Sequence, residues 1–253
     1  MSESRTSPRL PRFRLRSAKM AELVARQIVE DIVEQGLPPG AALPSEAPML
    51  EMYGVARGTL REALRILENN GLVRVRPGRG GGATVGAADP YNFGRTLTLF
   101  LQMGRARFWE LVEARVIMEP MMARLAAERR DEDRLDELVK SMQEHKELET
   151  HDQAAYLSVV QNFHGVVAGM SGNGVLDLFG RSLKEVYTER VIAAERPPAR
   201  WAEVRREHEA VAQAIFDGDG ELAEELMRTH MVELAAGFER RYAALHDEII
   251  GWS

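Results

Sequence analysis

The sequence predicts a mainly α-helical protein with an N-terminal winged helix-turn-helix, whose wing is a small β-hairpin, and a C-terminal all-α helical bundle. Residues 18–69 contain three short amphipathic stretches separated by turn residues. Residues 72–85 have strand-like alternation around a glycine-rich turn, and the chain from about residue 90 onward shows only long amphipathic stretches. The expected segments are a flexible N-terminal arm over 1–17, a winged helix-turn-helix domain over 18–87 and an all-helical domain for effector binding and dimerisation over 90–250.

The first predicted helix runs from about Ala18 to Gln35. Val24, Ile28 and Ile32 recur at every fourth residue, which is the spacing of one buried helix face. The following segment, Gly36–Gly40, holds two prolines and two glycines, so it ends this helix.

Two shorter helices follow and form the helix-turn-helix. The second helix begins after Pro44 and reaches about Met52, and Ser45 is placed to cap its free backbone N–H groups. A turn around Gly54 leads into a third helix over residues 57–69, whose inward face consists of leucines spaced by four and three residues. These leucines are Leu60, Leu64 and Leu67.

A β-hairpin is predicted after the third helix, which Asn70 and Gly71 end. Residues 72–76 alternate apolar and basic side chains as a half-buried strand does, residues 77–82 form a turn rich in glycine, and residues 83–85 form the return strand. This order of elements is that of a winged helix-turn-helix.

The all-helical domain is divided by five breaks into about six or seven helices, which predicts a helical bundle. Asp219 is placed to cap the last long helix. The breaks lie at Asp131, at His151 and at residues 171–174, 197–198 and 218–220.

The composition excludes several classes of protein. The absence of cysteine excludes disulfides, thiolate metal sites and cysteine nucleophiles, and it fits a reducing cytoplasm. The chain contains no run of eighteen apolar residues, so the sequence predicts no transmembrane helix. The basic N-terminus lacks the apolar stretch of a secretory signal. We therefore expect a cytoplasmic protein without a membrane partner.

Charge is distributed unevenly along the chain. Residues 1–86 hold 13 Lys and Arg against 9 Asp and Glu, whereas the rest of the chain holds 20 basic and 30 acidic residues. This asymmetry indicates that only the first part meets a polyanion.

The third helix carries the predicted DNA contacts, because the second helix of a helix-turn-helix lies in the major groove with its N-terminal residues at the base edges. Arginine binds guanine bidentately, and threonine contacts a thymine methyl or a phosphate. The alternative is that these arginines form a solvated helix face. The predicted DNA-binding residues are Ser45, Arg57, Gly58, Thr59, Arg61 and Arg65, with Gly78 and Arg79 in the wing.

The N-terminal domain resembles the DNA-binding domain of GntR-family bacterial repressors. The resemblance rests on IVEDIVEQGLPPGAALPSE and on YGVARGTLREALRILENNGLVRVRPGRGGGATV. It implies DNA contact by Arg57, Thr59, Arg61 and the wing. The family has an arginine and a glutamate after its Ser-Glu pair, whereas this chain has Ala47 and Pro48, so one family DNA contact is missing.

The C-terminal domain resembles the FCD domain of the FadR subfamily. The matching segments are WELVEARVIMEPMMARLAAER, QNFHGVVAGMSGN and EHEAVAQAIFDGDGELAEELMRTHM. The resemblance implies a divalent metal bound by one aspartate and three histidines, which helps to hold a carboxylate effector.

Three histidines on different predicted helices are the candidate metal ligands: His164, His208 and His230. Imidazole suits metals of the zinc and nickel class. Val160 stands where the family has its aspartate, so an anionic effector, a water or no metal at all remain alternatives. The resemblance also makes Arg115 the candidate for an effector carboxylate, and Asn162 is a second candidate effector contact. The remaining histidines, His145, His151 and His246, are expected at the surface.

We expect a sequence-specific transcriptional regulator, most simply a repressor, that binds a pseudo-palindromic operator as a homodimer and responds to an organic acid. A constitutive or architectural DNA-binding dimer without effector is an alternative. A metal-dependent enzyme is a weaker one, because the sequence has no HExxH spacing, no nucleophile elbow and no complete GxGxxG.

Overall fold

The computed structural model describes residues 12–76, 78, 81–87, 89–148, 153–193, 201–241 and 243–251. The chain divides into two compact units, Met1–Asn92 and Phe93–Ser253. Each unit has its own core.

Three helices and a hairpin make up the first unit. Helix α1 spans Arg12–Glu34, α2 spans Glu46–Tyr53 and α3 spans Arg57–Asn69, and the strands are β1 at Val73–Arg76 and β2 at Gly82–Val85. Residues 12–17, which were expected in a flexible arm, are therefore helical, and only residues 1–11 of that arm lie outside the described residues. The sequence 12–17 holds no proline or glycine, so nothing in it stops the helix from extending.

The wing is an antiparallel pair in which Val73 faces Val85 and Arg76 faces Gly82. The chain before α2 joins this pair, because Leu43 N–H donates to the Ala83 carbonyl at 2.9 Å. Gly81 is required in the turn, since a Cβ there would lie 2.1 Å from the carbonyl oxygen of Arg76.

Apolar side chains from all three helices and both strands form one core in this unit. The predicted stripes on α1 and α3 supply most of it, and Leu64 and Ile32 pack at its edge. The buried residues are Ala21, Val24, Ala25, Ile28, Met49, Leu60, Ala63, Leu67, Val73 and Ala83.

The second unit is helical throughout its described residues. Its helices end close to the breaks expected from the sequence, and Asp131 and Asp219 cap α6 and α10 by accepting backbone N–H bonds. The helices are α4 Pro90–Met103, which begins at the boundary between the units, α5 Phe108–Arg129, α6 Glu132–Glu147, α7 Gln153–Met170, α8 Gly174–Ala193, α9 Trp201–Asp217, α10 Gly220–Arg241 and the single turn α11 Ala243–His246.

Helix α5 is the centre of the bundle and packs against α7, α8, α9 and α10. Two apolar clusters flank it, one that includes Phe163, Ile215 and Met227 and another that includes Phe108, Tyr187 and Phe238. The start of α5 is also tied to the end of the chain, because Phe108 N–H donates to the carbonyl of Glu248. Among the described residues, no helix is both long and apolar enough to cross a bilayer.

Candidate functional site

Three arginines project from α3, the helix expected to enter the DNA groove. The side chains of Arg57, Arg61 and Arg65 are 71%, 68% and 69% exposed, while Leu60 and Leu67 on the opposite face are buried. The leucine stripe thus fixes which face of α3 is presented to solvent, and that face is basic.

Glu46, at the first turn of α2, holds two of these arginines. Its Oε1 atom lies 3.1 Å from Arg57 Nε and 3.5 Å from Arg61 Nε. Sequence reasoning did not identify this contact, because it joins two helices of the motif. In the protein without DNA, both guanidinium groups thus lie beside one carboxylate.

The other predicted DNA contacts are placed as follows. Ser45 is the N-cap residue of α2, but its side chain makes no capping hydrogen bond, which corrects the expected role. A Cβ at Gly58 would meet only open space, so a DNA backbone has room to approach there. Gly78 has φ of +104°, a conformation that favours glycine at the wing tip. Arg79 lies outside the described residues.

In the second unit, the three candidate metal ligands converge. His164 lies on α7, His208 on α9 and His230 on α10, and all three side chains are buried. One donor atom from each lies within 4.8 Å of the other two. Whether these side chains can bind one metal ion depends on which ring nitrogens face the centre of the cluster.

Two of the three rings use Nδ1 to contact a carboxylate. His164 Nδ1 lies 2.5 Å from Glu119 Oε2, and His230 Nδ1 lies 2.7 Å from Glu207 Oε2. The Nε2 atoms are therefore left for the centre of the cluster, where those of His208 and His230 are 3.2 Å apart. The buried Nε2 of His164 has no hydrogen-bond partner among the described residues.

This arrangement fits a divalent metal. A metal-bound histidine commonly donates its other N–H to a carboxylate, as His230 is placed to do toward Glu207, and His164 Nδ1 lies beside the Glu119 carboxylate. Two nitrogens that each lie about 2.0–2.1 Å from a zinc ion are separated by roughly 3.0–3.4 Å, and the 3.2 Å between His208 and His230 lies in that range. The residues present can hold zinc or a similar ion.

Burial keeps the imidazoles of His164 and His208 neutral, which is the form that binds metal. It lowers the pKa of His164 to about 4, although Glu119 opposes the shift, and it lowers the pKa of His208 well below its usual value. Burial by itself would raise the pKa of Glu119. The positive Arg115 and the adjacent His164 outweigh that effect and hold this pKa at about 2, so Glu119 is ionised.

Arg115 belongs to the same buried network. Its Nε donates to Glu119 Oε1 at 2.5 Å, its Nη2 donates to Gln161 Oε1 at 3.0 Å, and its guanidinium lies 4.6 Å from the ring centroid of Tyr187. Its Nη1 has no hydrogen-bond partner among the described residues. Glu119 thus connects the histidine cluster to Arg115, a cation whose Nη1 is still free to donate.

The contacts of Arg115 and Glu119 with α7 follow from helix geometry. Residues three or four apart share a helix face, so Arg115 and Glu119 on α5 oppose Gln161 and His164 on α7. Sequence reasoning missed Glu119 and Gln161. Glu119 lies four residues after Arg115, and Gln161 lies three residues before His164. These spacings place each on the same helix face as a predicted site residue, and this signal could have identified both.

Several sequence-predicted placements need correction. Asn162, expected as an effector contact, is exposed and lies 3.5 Å from Glu144, because it is two residues from His164 and faces away from the cluster. His145, expected at the surface, is only 4% exposed. Val160 is buried among apolar side chains.

The other two histidines expected at the surface have different outcomes. His246 is partly exposed and stacks near Trp109. His151 lies outside the described residues.

Comparisons with known proteins agree with this architecture. The family model described as bacterial regulatory proteins, gntR family, matches residues 20–82, and that of the FCD domain matches residues 110–233. Mce2R, an HTH-type transcriptional regulator of Mycobacterium tuberculosis, is 30% identical over 208 residues, which are 78% of this chain and 82% of that protein. The chain belongs to the GntR family.

Further relatives support a regulator built of these two domains. The HTH-type transcriptional repressor NanR of Enterobacter sp. (strain 638) is 26% identical over 237 residues, or 90% of this chain and 88% of its own length. A solved structure of Streptococcus agalactiae GntR has the same fold, with a TM-score of 0.65 and 24% identity over 85% of this chain and 99% of that one. This GntR-family protein is therefore a DNA-binding transcriptional regulator with an FCD domain, and the relatives are regulators rather than enzymes.

Proposed function

We propose that this GntR-family protein is a cytoplasmic transcriptional repressor whose operator affinity is controlled by an organic acid bound at a metal in the FCD domain. The observation that carries the proposal is the buried cluster of His164, His208 and His230, linked through Glu119 to Arg115. The sign of regulation is taken from the relatives named as repressors.

The DNA contacts are assigned to the exposed face of α3 and to the wing. Arg57 and Arg61 carry the base contacts in this proposal, because both lie in the first two turns of the helix, and Thr59 lies between them. Arg65 lies a turn further along and, with Ser45 and Gly78, suits the phosphate backbone. A homodimer would place two such helices on a pseudo-palindromic operator.

The three histidines would hold the metal, which when bound supplies a Lewis-acidic anchor for a carboxylate. Three nitrogen ligands leave open positions for an effector. The unused Nη1 donors of Arg115 supply a second group for an anion. Both features favour a ligand with at least one carboxylate.

The test combines operator selection with ligand screening. Purified protein selects its operator from random duplexes, and fluorescence anisotropy then measures affinity with zinc, with chelator, and with a panel of organic acids. A true effector raises the melting temperature and changes operator affinity by about 5- to 150-fold, the usual range of allosteric coupling.

Two variants control for specificity. Arg115→Lys keeps the buried charge but loses the planar donor geometry, so it should weaken the effector response. Asn162→Ala, which is exposed, should leave it unchanged. If no acid shifts either melting temperature or operator affinity, the protein is a constitutive DNA-binding dimer and the effector proposal is wrong.

A further inference from the structure

The three clustered histidines differ in what surrounds the nitrogen that points away from the cluster. His164 and His230 each have a carboxylate at Nδ1, from Glu119 and Glu207. His208 directs Nε2 at His230, and its Nδ1 is buried without a hydrogen-bond partner among the described residues. A neutral imidazole that binds a metal through Nε2 carries its proton on Nδ1, so His208 would present a buried N–H donor without an acceptor.

One of the rings that contact His208 is that of His145, on the last turn of α6. Its ring centroid lies 5.2 Å from that of His208, and the planes are tilted by 59°. This spacing resembles those within the cluster, which are 4.7–5.3 Å. Both ring nitrogens of His145 are buried, and neither has a hydrogen-bond partner among the described residues.

We propose that His145 is the positioning residue for His208: one of its ring nitrogens accepts the Nδ1–H of His208 and so fixes the ring that binds the metal. The two rings are not hydrogen-bonded to one another in this structure. A rotation of the His145 ring that turned one of its nitrogens toward His208 Nδ1 would satisfy both buried groups. This inference rests on the proposed metal site.

His145 does not act as a fourth ligand in this proposal. The donor atoms that lie within 4.8 Å of one another belong to the other three histidines. In a neutral imidazole one ring nitrogen carries the proton and the other accepts a hydrogen bond, so His145 can offer an acceptor. The ligand His208 thus has a neutral partner where the other two have carboxylates.

The experiment measures zinc affinity by competition with a chromophoric chelator, using the full-length protein. His145→Phe keeps an aromatic ring but removes both nitrogens, and it should weaken zinc binding about 10- to 100-fold, as loss of a metal ligand's hydrogen-bond partner does. His145→Gln keeps an acceptor and should recover part of that loss. His246→Phe, at a partly exposed histidine outside the cluster, should bind zinc as the wild type does.

Two spectroscopic readouts separate a positioning role from simple packing. In zinc-loaded protein with ¹⁵N-labelled histidine, a coupling across the hydrogen bond should join His208 Nδ1 to a nitrogen of His145. The visible absorption of the cobalt-loaded protein should keep its band positions in His145→Phe, because the ligand set is unchanged.

The outcomes are distinct. Zinc affinity of His145→Phe within about twofold of wild type, or absence of the coupling, overturns the inference while the metal site stands. A changed cobalt spectrum in a folded variant identifies His145 as a direct ligand, which also overturns it. Failure of the wild type to bind any divalent ion refutes the proposed metal site itself, and this role of His145 with it.

Discussion

Replacing Arg61 by alanine separates DNA recognition from stability. Its side chain is 68% exposed and forms an ion pair with Glu46 at 3.5 Å. Exposed ion pairs contribute about 0–1 kcal/mol, and surface substitutions change stability by about 0.5 kcal/mol. The buried face of α3 is untouched, so the free energy of unfolding should change by less than about 1 kcal/mol.

The effect on DNA binding should be larger. An arginine that contacts a guanine edge is worth about 1–3 kcal/mol, so Arg61→Ala should weaken operator binding by about 5- to 150-fold and relax specificity at one base pair. Arg206→Ala is the matched control, since this arginine is equally exposed on α9 and also pairs with a glutamate.

Anisotropy titrations against the selected operator and against random duplex, at several salt concentrations, measure the operator affinity and the specificity. A base contact lowers the ratio of specific to nonspecific affinity, whereas a phosphate contact lowers both affinities and reduces the salt dependence. Unchanged operator affinity in Arg61→Ala, with Arg206→Ala also unchanged, would refute the assignment of α3 as the recognition helix.

Three further predictions concern the wing and the buried cluster. Gly81→Ala should distort the hairpin and weaken DNA binding in anisotropy titrations, because its Cβ would meet the Arg76 carbonyl. Glu119→Gln should destabilise metal-free protein by about 3–5 kcal/mol in urea unfolding, since it leaves the buried Arg115 without its counter-charge. The pKa of His164 falls from 6.5 to about 4 on folding, so the unfolded chain binds protons that the folded chain excludes. The free energy of unfolding of metal-free protein should therefore decrease as pH drops from about 6.5 to 4, and Glu119, whose pKa falls from 4.5 to about 2, extends the loss below pH 4.5.

The helix-turn-helix was predictable because its signals are local. Repeated apolar spacings define α1 and α3, and glycine and proline mark their ends. The extension of α1 back to Arg12 was not predicted, because a basic, proline-free stretch is compatible with either a helix or an arm.

The buried cluster was predictable in part. The three metal-ligand candidates came from resemblance, whereas the groups that hold them, Glu119 and Glu207, depend on how neighbouring helices are rotated. His145 was misplaced because a lone histidine near a helix end resembles a surface residue. The buried Leu138, two turns earlier on the same face of α6, was the available signal.

Val160 determines the charge that an effector would meet. It lies one turn before His164, at the position where the resemblance to FCD domains implies an aspartate ligand, and it contributes no charge. Glu119 and Glu207 contact the ligand histidines and not the proposed ion itself. The three ligands would therefore be neutral, and most of the positive charge of a divalent metal would remain at its open positions. Val160→Asp should therefore bind zinc more tightly in chelator competition and bind a carboxylate effector more weakly in calorimetry. Val160→Leu is the control for altered packing and should show neither change. If Val160→Asp bound the carboxylate as tightly as the wild type does, the charge at the metal would not be what selects the effector.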